Sequence, residues 1–241
     1  MSDWFVTEEN RINSPNKSAR KHKIKMIVLH TTICPRETPD NYDRVKRWLL
    51  NKNASGSTHF VILRNGRVLQ GVPCDETAWH AGESSWVTVD GTKINKCNHW
   101  AIGIDFDSVG PVTRKGDKLY DCYGSPFVGP TAKHGKKEYE CYTIEQLTSA
   151  AKLIPVLLDA YGIDPADVVG HCDVSPGRKE DPAYFPWWML RDMLTAEHRV
   201  DDQNQQHRLC HQQHRLCHPG MASGDLVPKE DRGASGEVLL E

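Results

Sequence analysis

The chain has 241 residues, with 30 Lys and Arg against 32 Asp and Glu and a formal net charge of −2. That length suits one ordinary domain with extensions, and the balance of charge gives no general electrostatic drive toward nucleic acid or anionic lipid. A hydrophobic fraction of 38%, with no run near the roughly 20 apolar residues of a bilayer span, excludes membrane insertion, a collagen-like chain and a wholly disordered one.

Residues 1–19 read as an N-terminal extension. Their text, MSDWFVTEENRINSPNK and on, has no basic segment followed by an apolar one. The expectation is therefore a chain without an ordinary secretory leader, placed in the cytoplasm. Eight dispersed cysteines without a CxxC pair then read as reduced thiols. Cys122 and Cys141 are the one pair placed for bridging under oxidation.

Residues 25–31, KMIVLHT, form a continuous apolar run and predict a buried strand. Residues 41–51 carry Val45, Trp48 and Leu49 at helical spacing, with Asp40 as N-cap. Asn65-Gly66 between the strand-like runs 58–63 and 68–72 predicts a hairpin. Residues 100–106 read as a further strand. Residues 110–140 are rich in Gly, Pro and Lys, and read as a long surface loop or small subdomain inserted after a strand. A helix is expected over 143–161, opened by a Thr143/Gln146 capping box, closed by Gly162, and kinked or bounded at Pro155. A short strand follows at 168–171, and a last helix over 185–194. Strands alternating with helices imply an α/β domain, with a single central mixed sheet flanked by helices. The domain is placed at 20–198.

The stretch 199–241 holds a tandem QQHRLCH heptad at 205–211 and 212–218, and no aromatic residue follows residue 200. Too little apolar surface is available there to offset ordering entropy, so it reads as a disordered or loosely structured tail.

The densest chemical text is residues 170–182, GHCDVSPGRKEDP, which leaves a strand and continues as a loop. Such positions present reactive groups on a rigid scaffold. His171 and Asp181 lie ten residues apart around a Pro-Gly turn, so both can converge on one ion. His30, at the end of an apolar strand, is the third candidate ligand. Two imidazoles and a carboxylate with an open position make a catalytic zinc arrangement. His171 with Asp173 also fits half of a non-haem iron site.

The segments 27–31 (IVLHT), 58–62 (THFVI), 78–82 (AWHAG), Cys97-Asn98, 101–105 (AIGID) and 170–182 occur in collinear order. Together they resemble the type 2 N-acetylmuramoyl-L-alanine amidases, zinc enzymes related in fold to peptidoglycan recognition proteins. The resemblance spans about 24–195, and leaves the 110–140 insertion and the tail outside the common core. It implies an α/β amidase fold with Zn²⁺ on His30, His171 and Asp181. It further implies hydrolysis of the amide between the lactyl group of N-acetylmuramic acid and L-alanine, with peptidoglycan or a muropeptide as the partner. A role on the cell wall after release, as for phage lysins, is compatible with the expected location. Asp105 stands where many members carry Glu, as general base and then acid; Asp107, two residues on, is the alternative. Lys179 matches the lysine near the developing oxyanion, and Arg178 is structural or in contact with substrate. Trp79, His80 and Asn98 are the implied substrate contacts, and His59 is structural. A binding module of the same fold without catalysis is the alternative function.

Overall fold

The structure, a computed structural model, describes residues 3–192. The tandem heptad and the stretch read as a tail lie outside the described residues. The chain enters through β1 (Lys17–Ala19), β2 (Met26–Thr31) and helix α1 (Tyr42–Leu50). A hairpin of β3 (Phe60–Ile62) and β4 (Val68–Gln70) follows, then β5 (Glu76–Ala78), β6 (Ser85–Val87), β7 (Lys93–Asn95) and β8 (Ala101–Phe106). Five short strands come next: β9 (Pro111–Lys115), β10 (Lys118–Asp121), β11 (Pro126–Phe127), β12 (Thr131–His134) and β13 (Lys137–Glu140). Helix α2 (Ile144–Tyr161), β14 (Val168–Gly170) and α3 (His171–Val174) complete the order.

The central sheet runs β14-β2-β8-β3-β4. Its first four strands are parallel, and β4 returns antiparallel to β3 through the expected hairpin. This is the single mixed α/β sheet the sequence predicts. Strands β2 and β8 lie inside the sheet and are covered on both faces, so their text is continuously apolar rather than alternating. One face carries Ile27, Leu29, Phe60, Ile62, Ile102 and Ile104, which pack on Leu147, Ala150, Ile154 and Leu157 of α2. The opposite face carries Met26, Val28, Ala101 and Val169 under Ala81, Ile94 and Val174. Alternation along β2 places His30 in this second series.

Helix α2 has the expected capping box, with the Thr143 hydroxyl accepting from the Gln146 N–H, and Gly162 closes it at φ 62°. Pro155 lies inside an unbroken helix, so it marks no helix boundary. The buried row Ala150, Leu153, Ile154 and Leu157 holds both halves of α2 to the sheet. At α1 the cap position belongs to Asn41 in the left-handed region, while the Asp40 carboxylate accepts the Tyr42 N–H at 3.3 Å. Residues 187–192 are helical; Phe185 and Pro186, placed in the expected 185–194 helix, lie before it in irregular backbone, and 193–194 lie outside the described residues.

The 110–140 insertion is a small antiparallel sheet in the order β11-β10-β9-β13-β12. Its own core is Val109, Val112 and Phe127 with Leu119. Residues 3–19 pack on the domain. Phe5 donates its N–H to Gln70 Oε1 at 2.7 Å and lies against Phe60 and Tyr161, and β1 pairs with β5. Among the described residues no helix is long and apolar enough to cross a membrane. The described cysteines are free, Cys122 and Cys141 included.

Candidate metal centre

Strand β14 pairs in parallel with β2, Gly170 beside Leu29. The ends of the two strands therefore lie together, where α/β sheets present their ligand sites. His30 ends the inward series of β2, and His171 opens α3 directly after β14. The following loop doubles back, and the Cys172 N–H donates to the Asp181 carbonyl at 2.8 Å. That bond returns Asp181 to the histidines ten residues after His171.

The three candidate ligands meet through one atom each. His30 Nδ1 and His171 Nδ1 are 3.0 Å apart, and Asp181 Oδ2 is 3.1 Å from His171 Nδ1 and 3.4 Å from His30 Nδ1. A tetrahedral ion with bonds of about 2.0–2.1 Å separates its donors by about 3.3–3.4 Å. The triangle has the size of one face of such a shell. Both imidazoles are buried, and Asp181 is partly so.

The surrounding hydrogen bonds suit this use. His171 Nε2 lies 3.1 Å from the Ala81 carbonyl, which can only accept, so the ring proton sits on Nε2 and Nδ1 is a bare lone pair. His30 Nε2 lies 2.9 Å from His80 Nδ1; with its proton there, His30 also offers a bare Nδ1. Partners on the far ring nitrogen are what orient metal-binding histidines. Two lone pairs and an anion so close together fit a cation between them. Among the described residues this is the only group of three such side chains placed to hold an ion. Asp173 accepts the Gly170 N–H at 2.7 Å instead, which leaves the His171/Asp173 iron arrangement unformed.

The triad lines a cleft of about 490 Å³ together with Asp105, His80 and Lys179. Asp105 is register-paired with His30 across β2 and β8. Burial raises its pKa, and this outweighs the lowering influence of His30 and Thr58. Lys179 has no side-chain hydrogen bond or ion pair among the described residues. Burial, followed by His30 and His59, pushes the His80 pKa well down, and its Nε2 has no hydrogen-bond partner among the described residues.

Six of the eight candidates therefore share one cleft. The other two lie outside its lining. Trp79 is 39% exposed and donates Nε1–H to Ser18 Oγ at 3.4 Å. Asn98 Oδ1 accepts the N–H groups of His80 and Ala81 at 3.1 and 2.7 Å, holding the loop that carries His80. Asp107, the alternative to Asp105, is fully buried away from the cleft, with Oδ1 accepting from Asn41 Nδ2 at 3.0 Å. It lies just past the end of β8, where its N–H bonds the Ile62 carbonyl and the 32–41 loop covers it. Arg178 donates Nη2 to the Ala81 and Glu83 carbonyls, both at 2.7 Å, so it clamps the 81–83 loop. His59 is buried, and its Nδ1 accepts the Gly103 N–H at 3.0 Å.

Gly103 was not singled out by the sequence reading. A Cβ there would lie 2.7 Å from His80 Cγ, so only glycine lets the His80 ring lie on β8. A glycine inside an apolar strand is the signal for such close approach. Arg44 and Trp48 also line the cleft from α1.

A mixed α/β sheet with this triad at its strand ends is an α/β protein with a candidate metal centre. The family model described as N-acetylmuramoyl-L-alanine amidase (Amidase_2) matches residues 20–184, and the chain belongs to that family. It is 32% identical over 176 residues to N-acetylmuramoyl-L-alanine amidase AmiD of Escherichia coli strain K12, covering 70% of this chain and 52% of AmiD. It is 35% identical over 133 residues to 1,6-anhydro-N-acetylmuramyl-L-alanine amidase AmpD of Haemophilus influenzae, covering 54% of each. The chain thus spans about half the length of these relatives. A solved structure of E. coli AmiD, in complex with the substrate anhydro-N-acetylmuramic acid-L-Ala-D-γ-Glu-L-Lys, matches with a TM-score of 0.51 and 26% identity. That match covers 75% of this chain and 60% of the other.

Proposed function

We propose that this chain is a zinc-dependent N-acetylmuramoyl-L-alanine amidase. It hydrolyses the amide between the lactyl group of N-acetylmuramic acid and L-alanine in peptidoglycan or muropeptides. The reading rests on the triangle of His30 Nδ1, His171 Nδ1 and Asp181 Oδ2, with edges of 3.0, 3.1 and 3.4 Å, in a cleft shared with Asp105 and Lys179. Family membership and the AmiD substrate complex support the choice of bond. In this reading residues 20–198 carry the activity, between the N-terminal extension and the tail.

Two nitrogens, one carboxylate oxygen and room for a fourth donor suit zinc; when bound, it supplies Lewis acidity and a water acidified toward neutral pH. The remaining work falls to the chain's own groups. Asp105 accepts the proton of the attacking water and delivers it to the leaving alanine nitrogen. Its raised pKa suits the acid half of that cycle. Lys179, with its ammonium uncompensated in the cleft, stabilises the charge that grows on the carbonyl oxygen. His80, which lines the cleft, stands near the lactyl group of the substrate, and Trp79 offers a ring face to the sugar at the rim. Asn98 and Arg178 hold the loop on which His80 stands.

The test is mass analysis of the products from N-acetylmuramoyl-L-Ala-γ-D-Glu-L-Lys. A peptide with a free alanine amine should appear, vanish on chelation and return with zinc. Zinc-loaded protein that releases no such peptide refutes the enzyme reading. If that protein still binds muropeptide, the non-catalytic module is favoured, with the short Asp105 side chain as its motive.

A further inference from the structure

The segment 137–142 leaves the inserted sheet through β13 and runs to the start of α2. On the way it grips the sequence neighbours of two of the three candidate ligands. Lys137 Nζ and Tyr139 Oη both donate to Glu180 Oε2, each at 2.6 Å, and Glu180 directly precedes Asp181. The Tyr142 hydroxyl donates to the Ala183 carbonyl at 3.2 Å, just beyond Asp181, and lies 2.9 Å from Thr31 Oγ1. Its proton is committed to a carbonyl, which only accepts, so the Thr31 hydroxyl donates in the second bond. Thr31 directly follows His30.

These side-chain bonds make a connection that the backbone does not. The Cys172–Asp181 backbone bond ties Asp181 to His171. Among the described residues no backbone hydrogen bond joins the 177–185 loop to β2, whose partners are β14 and β8. The Tyr142 hydroxyl bridges that gap, from the chain beyond Asp181 to the residue beside His30.

The segment is itself fixed. Its first half is paired in β13 with β12 and β9. Glu140, at its middle, is buried, with Oε1 2.6 Å from Arg36 Nη2 and 3.1 Å from Arg64 Nη1. Glu140 Oε2 accepts the Val109 N–H at 2.8 Å and the Ser108 hydroxyl at 3.0 Å. A buried carboxylate bonded in this way is costly to move, because each lost bond leaves buried charge without a partner. The Tyr142 ring packs edge-on against Phe106 and Phe185, with centroids 5.4 and 5.2 Å away, which holds its hydroxyl in place.

We propose that Tyr142, supported by Tyr139, is a positioning residue of the metal centre. It fixes where Asp181 stands relative to His30 and so sets how tightly the ion is held. The inference rests on the metal reading of the triad, and it gives the chain that leaves the inserted sheet a part in building that site. Tyr142 has the larger share, since its hydroxyl joins both ligand segments, whereas Tyr139 shares Glu180 with Lys137.

The test measures metal binding by the full chain and needs no turnover. Tyr142→Phe keeps the ring between Phe106 and Phe185 and removes only the hydroxyl. It should raise the zinc Kd about tenfold in competition with a chromogenic chelator. It should also weaken the visible absorption of Co²⁺-loaded protein, whose intensity reports coordination geometry. Tyr139→Phe, which leaves Lys137 on Glu180, should give a smaller rise in Kd. Thr31→Val should raise the Kd as well, and combining it with Tyr142→Phe should cost nothing further, because both remove the same bond. Thr31→Ser keeps a hydroxyl and should bind zinc as the wild type does. A role in the fold alone predicts a lower Tm in chelator with an unchanged Kd and cobalt spectrum, and that result overturns the proposal. A fully additive loss in the double variant overturns it too. Wild-type chain that binds zinc no better than Tyr142→Phe sinks this inference alone; wild-type chain that binds no zinc sinks the metal reading with it.

Discussion

Replacing Asp105 by Asn separates stability from chemistry. Asp105 is 8% exposed on β8, and burial raises its pKa above the ordinary 3.8. A carboxyl whose folded pKa exceeds its unfolded one makes the fold less stable as pH rises through that interval, because the unfolded chain releases the proton first. At neutral pH the ionised side chain therefore destabilises the metal-free protein. Asn has nearly the same volume and no charge, so chelated Asp105→Asn should melt above the chelated wild type. One pKa unit corresponds to about 1.4 kcal/mol, and each kcal/mol moves the Tm of a 150–250-residue domain by about 2–4 °C. Turnover should move the other way, since loss of a positioned acid–base group costs about 10²–10⁴ in kcat. Zinc stoichiometry should be unchanged, because Asp105 is not one of the three converging donors. Paired thermal melts, metal analysis and kcat on the tripeptide substrate read all three. Full turnover in the variant refutes the assigned role, and lost zinc shows that Asp105 acts through the metal site. Asp105→Glu is the companion, since a shift of about 1 Å in a reacting group can change rate by about 10²-fold; faster turnover would show that the short side chain limits the rate.

Three further outcomes follow from the geometry. Gly103→Ala would put a methyl 2.7 Å from His80 Cγ, displace the ring that orients His30, and weaken zinc binding by about 10–100-fold, as measured by competition with a chromogenic chelator. Chelation should lower the Tm by about 10 °C if zinc is present at some 10³ times its Kd, and His30→Ala should abolish that difference; an equal Tm with and without chelator counts against a structural link between ion and fold. His59 is fully buried, and burial together with Arg20 holds its pKa down to about 3 against an ordinary 6.5. The unfolded chain binds a proton in that interval that the folded chain refuses, so stability should fall as pH drops from 6.5 toward 3, by up to about 1.4 kcal/mol per pH unit; urea titrations of wild type and His59→Gln should show a shallower acid loss in the variant.

Much of this site was legible because its geometry follows from strand period and strand order. Alternation along β2 puts His30 opposite Ile27 and Leu29, and β14 ends at Gly170 directly before His171. The Pro-Gly turn after His171 was sufficient reason to expect Asp181 to return. The same alternation misled at Asp107. Its period-two relation to Asp105 holds only while the strand lasts, and β8 ends at Phe106. The Thr32–Asn41 loop then folds over the carboxylate, and a long-range contact of that kind leaves no periodic trace. The inserted sheet was illegible for a related reason. Its strands span two to five residues, and most of their side chains are exposed or only half-buried, so no hydrophobic alternation accumulates. Its order depends on cross-strand pairing, Tyr139 beside Pro111 among others, and on the latch from Lys137 and Tyr139 to Glu180. Asn98 belongs with these cases. The family text marks the position, but its bonds to the His80 and Ala81 amides make its first effect the placement of His80. Substitution at Asn98 should thus reach the substrate through His30 and His80 before it reaches any direct contact.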